Sequence, residues 1–184
     1  MSDRLDLGMG GHHKPNRGEK DEWLTPPAIL EALGPFDLDP CAPVSPPWPI
    51  ARRHLTIEDQ GLTAVWEPDE FVWMNPPYGS VETWQWMSRL AEHGNGLALI
   101  FARTETAGFA RWCFGRADAL LFLEGRLFFH HVDGRRSAHN SGAPSALCAF
   151  GDEAVGRLRS CGLRGSLVDH WIDPAECRPV GDET

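Results

Sequence analysis

Two rhythms of hydrophobic positions alternate along this chain. In one, apolar residues run together: "FVWM" (71–74), "GLALIFA" (96–102), "ALLFLE" (119–124) and "SALCAFG" (145–151), with "FDLD" (36–39) as a further short strand that runs into a proline-rich loop. Short runs of this kind read as strands covered on both faces. In the other, apolar residues recur every three or four positions, as helices require. "TPPAILEAL" (25–33) places Ile29, Leu30 and Leu33 on one stripe, with Thr25 as the expected N-cap, Pro26 in the first turn and Gly34 at the close. "VETWQWMSRLAEH" (81–93) does the same with Trp84, Met87 and Leu90, and "GFARWCFGR" and "DEAVGRLRSCG" read as shorter helices. "HLTIED" reads as a short extended piece, and "RLFFHHVDGRR" as a strand entering a turn.

Strands alternating with helices predict an α/β sandwich around a mainly parallel central sheet flanked by helices. Ligands of such sheets lie at the carboxyl ends of the strands, near the point where strand order reverses. "DLDPCAP" and "FVWMNPPYG" are both strand ends, and they are expected on the same sheet edge. The predicted organisation is a polar lead-in over residues 1–20, one compact domain over 21–172 and an acidic tail over 173–184.

Composition narrows this picture. The chain has 184 residues, enough for one substantial core, with 42% hydrophobic and 23% charged residues. Runs such as "LALIFA" are far too short to span a bilayer, and the start lacks an apolar signal core, so a cytoplasmic protein away from membranes is expected. Five scattered cysteines without a C-x-x-C pair argue against a disulfide framework or zinc ribbon; Cys113 and Cys148 read as core fillers. A net charge of −9 argues against strong non-specific binding to nucleic acid. The charge is uneven, however. Residues 103–136 carry six arginines against four acids, whereas "DPAECRPVGDET" carries four acids against one arginine.

"Asn75-Pro76-Pro77-Tyr78-Gly79" is an unusual way to end a strand, and Tyr78 is the only tyrosine in the chain. These residues suit methyl transfer to an amine conjugated to an aromatic ring, whose lone pair is delocalised and weakly nucleophilic. An Asn carbonyl and a neighbouring backbone carbonyl accept from the NH2 group and localise that lone pair. The two prolines hold the carbonyls rigidly and bring no N–H of their own. Tyr78 offers a face for a base to stack on, and Gly79 lets the backbone come close. A helix-start turn with Tyr78 covering the core is the plain alternative. Glutamine side-chain amides pose the same chemical problem as adenine, so the motif alone leaves the acceptor open.

The ordered blocks "DEWLTPPAILEAL", "FDLDPCAP", "LTIEDQGL…W", "FVWMNPPYG", "LIFARTETAGFARW", "EGRLFF" and "GAPSALCAF" cover roughly residues 21 to 151. Together they resemble the phage DNA N-6-adenine methyltransferase family. The resemblance implies a Rossmann-like fold, S-adenosylmethionine as cofactor with no metal, and DNA as partner, double-stranded or single-stranded, in the cytoplasm of a bacterial host; it leaves the oligomeric state open. It assigns Asn75, Pro76, Pro77 and Tyr78 to the target adenine. It makes Trp23, Thr25 and Pro26, together with Asp39, Pro40 and Cys41, candidates for the cofactor. Glu58 or Asp59 is a candidate for the cofactor's ribose or adenine, with a solvated turn acid as the alternative. Arg103 and Arg111 are candidates for phosphate contact, or else ordinary surface arginines.

One departure stands out: no glycine lies between Asp39 and Trp48, where many cofactor loops of this kind are glycine-rich. No room remains for a separate target-recognition domain, so specificity is expected from loops 79–86, 103–108 and 130–144. Rival readings come from other residues. His130, His131, Asp133, His139 and Asn140 imitate the core of a His-Asn-His nuclease, but "SGAPSALCAFG" follows where a ligand-bearing helix is needed. A protein glutamine methyltransferase, an RNA adenine methyltransferase and a non-catalytic acidic DNA mimic complete the set.

Overall fold

The computed structural model describes residues 22–79 and 81–169; the lead-in over 1–20 and the tail over 173–184 lie outside the described residues. A seven-stranded sheet forms the middle layer: β1 (Leu38–Asp39), β2 (Arg53–His54), β3 (Val72–Met74), β4 (Gly96–Phe101), β5 (Ala119–Leu123), β6 (Ser145–Phe150) and β7 (Gly165–Val168), in spatial order β2-β1-β3-β4-β6-β5-β7. The helices are α1 (Pro27–Leu33), α2 (Glu82–His93), α3 (Ala107–Phe109), which continues as a π-helical turn over Ala110–Phe114, and α4 (Asp152–Ser160).

The flat hydrophobicity of the strands follows from two cores, one on each face of the sheet. Leu97 and Leu99 of β4 and Leu147 of β6 pack with Ile29, Leu30 and Leu33 of α1 and Ala154 and Leu158 of α4. Their neighbours Ala98, Ile100, Ala146 and Cys148 point the other way, onto Trp86, Met87 and Leu90 of α2 and onto Phe109 and Cys113. Successive strand residues face opposite sides, so a strand sandwiched between helices must be apolar at every position.

The expectation of a mainly parallel sheet is corrected. β1 pairs in parallel with β2 and β3, and β3 with β4. β6 inserts antiparallel between β4 and β5, and β7 lies antiparallel to β5. The sheet is therefore mixed. An antiparallel strand covered on both faces is as uniformly apolar as a parallel one, so the pattern of β6 carried no information about direction.

Three smaller expectations also change. Pro26, not Thr25, occupies the N-cap of α1, and no side chain caps that end. "HLTIED" contributes only the end of β2 before a 3-10 turn over Ile57–Asp59. "RLFFHHVDGRR" forms no regular strand; it makes isolated bridges from His130 to Leu24 and to Arg136.

The parallel half of the sheet positions the site. From β1 the chain passes to β2 on one side and then to β3 on the other, so order reverses around β1. A crevice opens beyond the carboxyl ends of strands at such a reversal.

Candidate active site

A cavity of about 460 Å3 lies beyond the ends of β1 and β3, within the range of roughly 300–1,000 Å3 typical of small-ligand sites. Asp39 to Pro43 follow β1 into its wall, and Asn75 to Tyr78 follow β3. Glu22 to Thr25 close it ahead of α1, Gln60 to Thr63 close it after β2, and Trp86 of α2 and Trp73 of β3 also line it, with Ile50, Thr56 and Ile57.

Asn75 is held by two contacts. Its Nδ2 donates to the carbonyl of Trp23 at 2.7 Å, and its Oδ1 accepts from the hydroxyl of Tyr78 at 2.9 Å. Only the amide nitrogen can donate to a carbonyl, so the Trp23 contact sets which way the amide points. Oδ1 keeps a second lone pair for another donor. The Pro76 carbonyl accepts no hydrogen bond from the described residues. Two acceptors with spare capacity thus stand side by side on the cavity wall.

The Pro-Pro turn is locked from α2. Thr83, which is buried, donates from Oγ1 to the Pro77 carbonyl at 2.8 Å and accepts from the Gly79 N–H at 3.1 Å. Tyr78 is braced by Phe101, whose ring stacks on it at 4.1 Å with 18° between planes. Phe101 does not line the cavity, so it supports the ring from the core side. Phe129 meets Tyr78 edge-on at 6.3 Å. Burial pushes the Tyr78 phenol up, which keeps it a neutral hydrogen-bond donor.

Asp39 is 3% exposed, and its Oδ1 accepts from the Cys41 N–H at 3.0 Å. Burial raises its carboxyl to about 7, against the smaller lowering effect of that hydrogen bond. Burial, and then the Asp39 charge, push the neighbouring Cys41 thiol well up. Two further buried polar atoms in residues that line the cavity have no partner: Thr25 Oγ1 and Trp73 Nε1. A buried hydroxyl and a buried indole N–H left unpaired are costly, and a polar ligand in the cavity relieves that cost.

Trp23, Thr25, Asp39, Pro40 and Cys41 are thus brought together with Asn75, Pro76, Pro77 and Tyr78 around one cavity, whereas Pro26 does not line it. Glu58 and Asp59 lie off its wall as well. Asp59 accepts from the Thr56 N–H at 2.8 Å and Oγ1 at 2.9 Å as the closing half of a capping box, which holds its carboxyl below the usual range. Gln60 and Gly61 take that place on the wall. Gly61 packs against the β1 loop from the opposite side. A Cβ on Gly61 would sit 2.2 Å from the Pro40 carbonyl oxygen and 2.9 Å from the Trp86 ring. The Trp66 indole N–H fixes the Gly61 carbonyl at 3.0 Å. The Gln-Gly pair was the available signal for this turn; Thr83 and Trp73 left none, since each fits an ordinary helix or strand pattern.

Arg103 and Arg111 are exposed and lie outside the cavity, Arg111 with its guanidinium over the Trp112 ring at 4.9 Å. The histidines at 130, 131 and 139 do not converge with Asp133, which is ion-paired with Arg135 at 2.6 Å. No group of three or more His, Cys, Asp or Glu side chains suited to a metal forms among the described residues.

The mixed α/β fold thus carries a cavity at a strand-order reversal, with the Asn-Pro-Pro-Tyr turn on its wall. Residues 12–158 match the family model of DNA N-6-adenine-methyltransferase (Dam), and the chain belongs to that family. Membership implies methylation of adenine in DNA. No curated protein and no solved structure matches the chain.

Proposed function

We propose that this protein is an S-adenosylmethionine-dependent enzyme that methylates N6 of an adenine rotated out of its DNA helix, on a compact Rossmann-like sheet. The observation that carries this reading is the pair of acceptors, Asn75 Oδ1 and the Pro76 carbonyl, beside the face of Tyr78 in the cavity that Asp39 also lines. Both acceptors draw on the two N–H bonds of the amine and localise its lone pair. Tyr78, backed by Phe101, stacks on the base, which lowers the cost of taking it out of the helix. Thr83 holds the Pro77 carbonyl, and through it the Pro-Pro turn, in place while this happens. Bound S-adenosylmethionine supplies the activated methyl group.

The cofactor fits the residues present. Thr25 Oγ1 and Trp73 Nε1 are the unpaired polar atoms it satisfies, and Asp39, with Pro40 and Cys41, meets its cationic part, which favours ionised Asp39. Trp23 supports the site through its carbonyl on Asn75. Arg103 and Arg111 are proposed to touch phosphate, and the host cytoplasm is the proposed location; no helix of the described residues is long and apolar enough to cross a membrane.

Transfer of labelled methyl from S-adenosylmethionine to unmethylated DNA, followed by digestion to nucleosides, tests the reading. Label is expected in N-6-methyladenine. Asn75→Ala should lower the rate by roughly 100-fold or more, as removal of one positioned hydrogen-bonding group does elsewhere. Tyr78→Ala should lower it by about 5- to 150-fold, the equivalent of roughly 1–3 kcal/mol of stacking. Label in RNA or in protein but not in DNA reassigns the acceptor. Failure to bind the cofactor overturns the enzyme reading.

A further inference from the structure

Residues 127–141 form an irregular hairpin, held by Ser141 N–H to Leu127 O at 2.7 Å, Ser137 N–H to Phe129 O at 2.8 Å and His131 N–H to Arg135 O at 2.8 Å. It follows β5. That strand is antiparallel to β6, which is antiparallel to β4, so β5 points the same way as β1, β3 and β4. The hairpin therefore leaves the sheet along the edge where the cavity opens.

Two contacts fix it to the site. Leu24, in the cavity wall, exchanges both backbone hydrogen bonds with His130, at 2.8 and 2.9 Å. Phe129, buried at the root of the hairpin, touches the rings of both Tyr78 and Phe101. Whatever binds the outer side of the hairpin is thus held in register with Tyr78.

The outer side is cationic. Arg126, Arg135 and Arg136 are exposed, with Asp133 as the one acid between them. Arg135 is neutralised by that Asp133. Arg126 donates to the Ser141 carbonyl at 3.1 Å, and Arg136 lies over the Phe128 ring at 3.9 Å. These two contacts orient the guanidinium groups without cancelling their charge. A guanidinium held over a ring still has N–H groups free to meet a phosphate.

We infer that this hairpin is the DNA-backbone clamp of the protein, with Arg126 and Arg136 binding phosphates that flank the target nucleotide. The inference rests on the DNA methyltransferase reading above and adds to it the surface that holds the duplex. An acidic chain with net charge −9 needs such a local cationic element to approach DNA at all.

The test is fluorescence anisotropy of a labelled DNA duplex against the full chain over a salt series, with S-adenosylmethionine affinity measured by calorimetry on each protein. Arg126→Gln combined with Arg136→Gln should reduce the slope of log Kd against log salt by about 2 and weaken binding about tenfold. Ala138→Lys adds a cation on the same exposed stretch without removing a contact, and should steepen the slope by about 1. Cofactor affinity should stay level in both variants. Equal slopes for all three proteins, with wild-type binding intact, overturn the clamp and leave the methyltransferase reading standing. No salt-dependent binding by the wild type overturns both.

Discussion

Asn75 and Asp39 reach one cavity from neighbouring strands, and each is tuned by what surrounds it. Asn75 draws its orientation from a carbonyl 52 positions away in sequence. Asp39 owes its chemistry to burial, which holds its carboxyl near neutrality. That shift has a sign that can be tested. Between the ordinary 3.8 and about 7, the folded protein keeps the Asp39 proton while the unfolded chain has lost it. The group's contribution to stability therefore falls as pH rises through that window, by about 1.4 kcal/mol per pH unit, and levels off above it. Urea midpoints from pH 5 to 8 should show wild type losing stability relative to Asp39→Asn up to about pH 7. A constant difference between the two across that range would mean that Asp39 is ionised throughout.

At the scale of elements, loops rather than helices and strands build the site. The crossover from β1 to β2 is the proline-rich stretch 40–52, and its start closes directly on the turn at Gln60-Gly61. The left-handed backbone of Gln60, φ 52°, turns the chain so that Gly61 meets the Pro40 carbonyl. Gly61→Val places carbon against a backbone oxygen that has no room to move, so the two walls must part. Calorimetry should show S-adenosylmethionine affinity at least about tenfold weaker in Gly61→Val, equivalent to roughly 1.4 kcal/mol. Circular dichroism should remain that of the wild type, because Gly61 lies outside every strand and helix of the fold.

For the molecule as a whole, stability rests on the strands buried from both sides. β6 is buried at all six positions and bridges the parallel and antiparallel halves of the sheet. Leu147 is fully buried in the core against α1 and α4. Leu147→Ala should lower unfolding free energy by about 2–5 kcal/mol, read as a reduced urea midpoint with an unchanged m-value. A second transition, or a lowered m-value, would show that the two halves unfold separately.

The apolar runs and helical stripes determined the number and kind of most elements, because burial on one stripe or on both faces leaves a periodicity that any reader of the chain can see. The Asn-Pro-Pro-Tyr turn and the Asp-Pro-Cys loop were legible for a different reason: rigid prolines and a lone tyrosine are chemically costly choices for a mere bend. The short β7 and the bridge from His130 to Leu24 were not legible, since their pairing partners lie far away in sequence. The direction of β6, the placement of Gln60 and Gly61 on the cavity wall, and the hold of Thr83 on Pro77 were decided only by the tertiary structure. Each depends on which surfaces meet, and a sequence records what a residue is rather than what it comes to face.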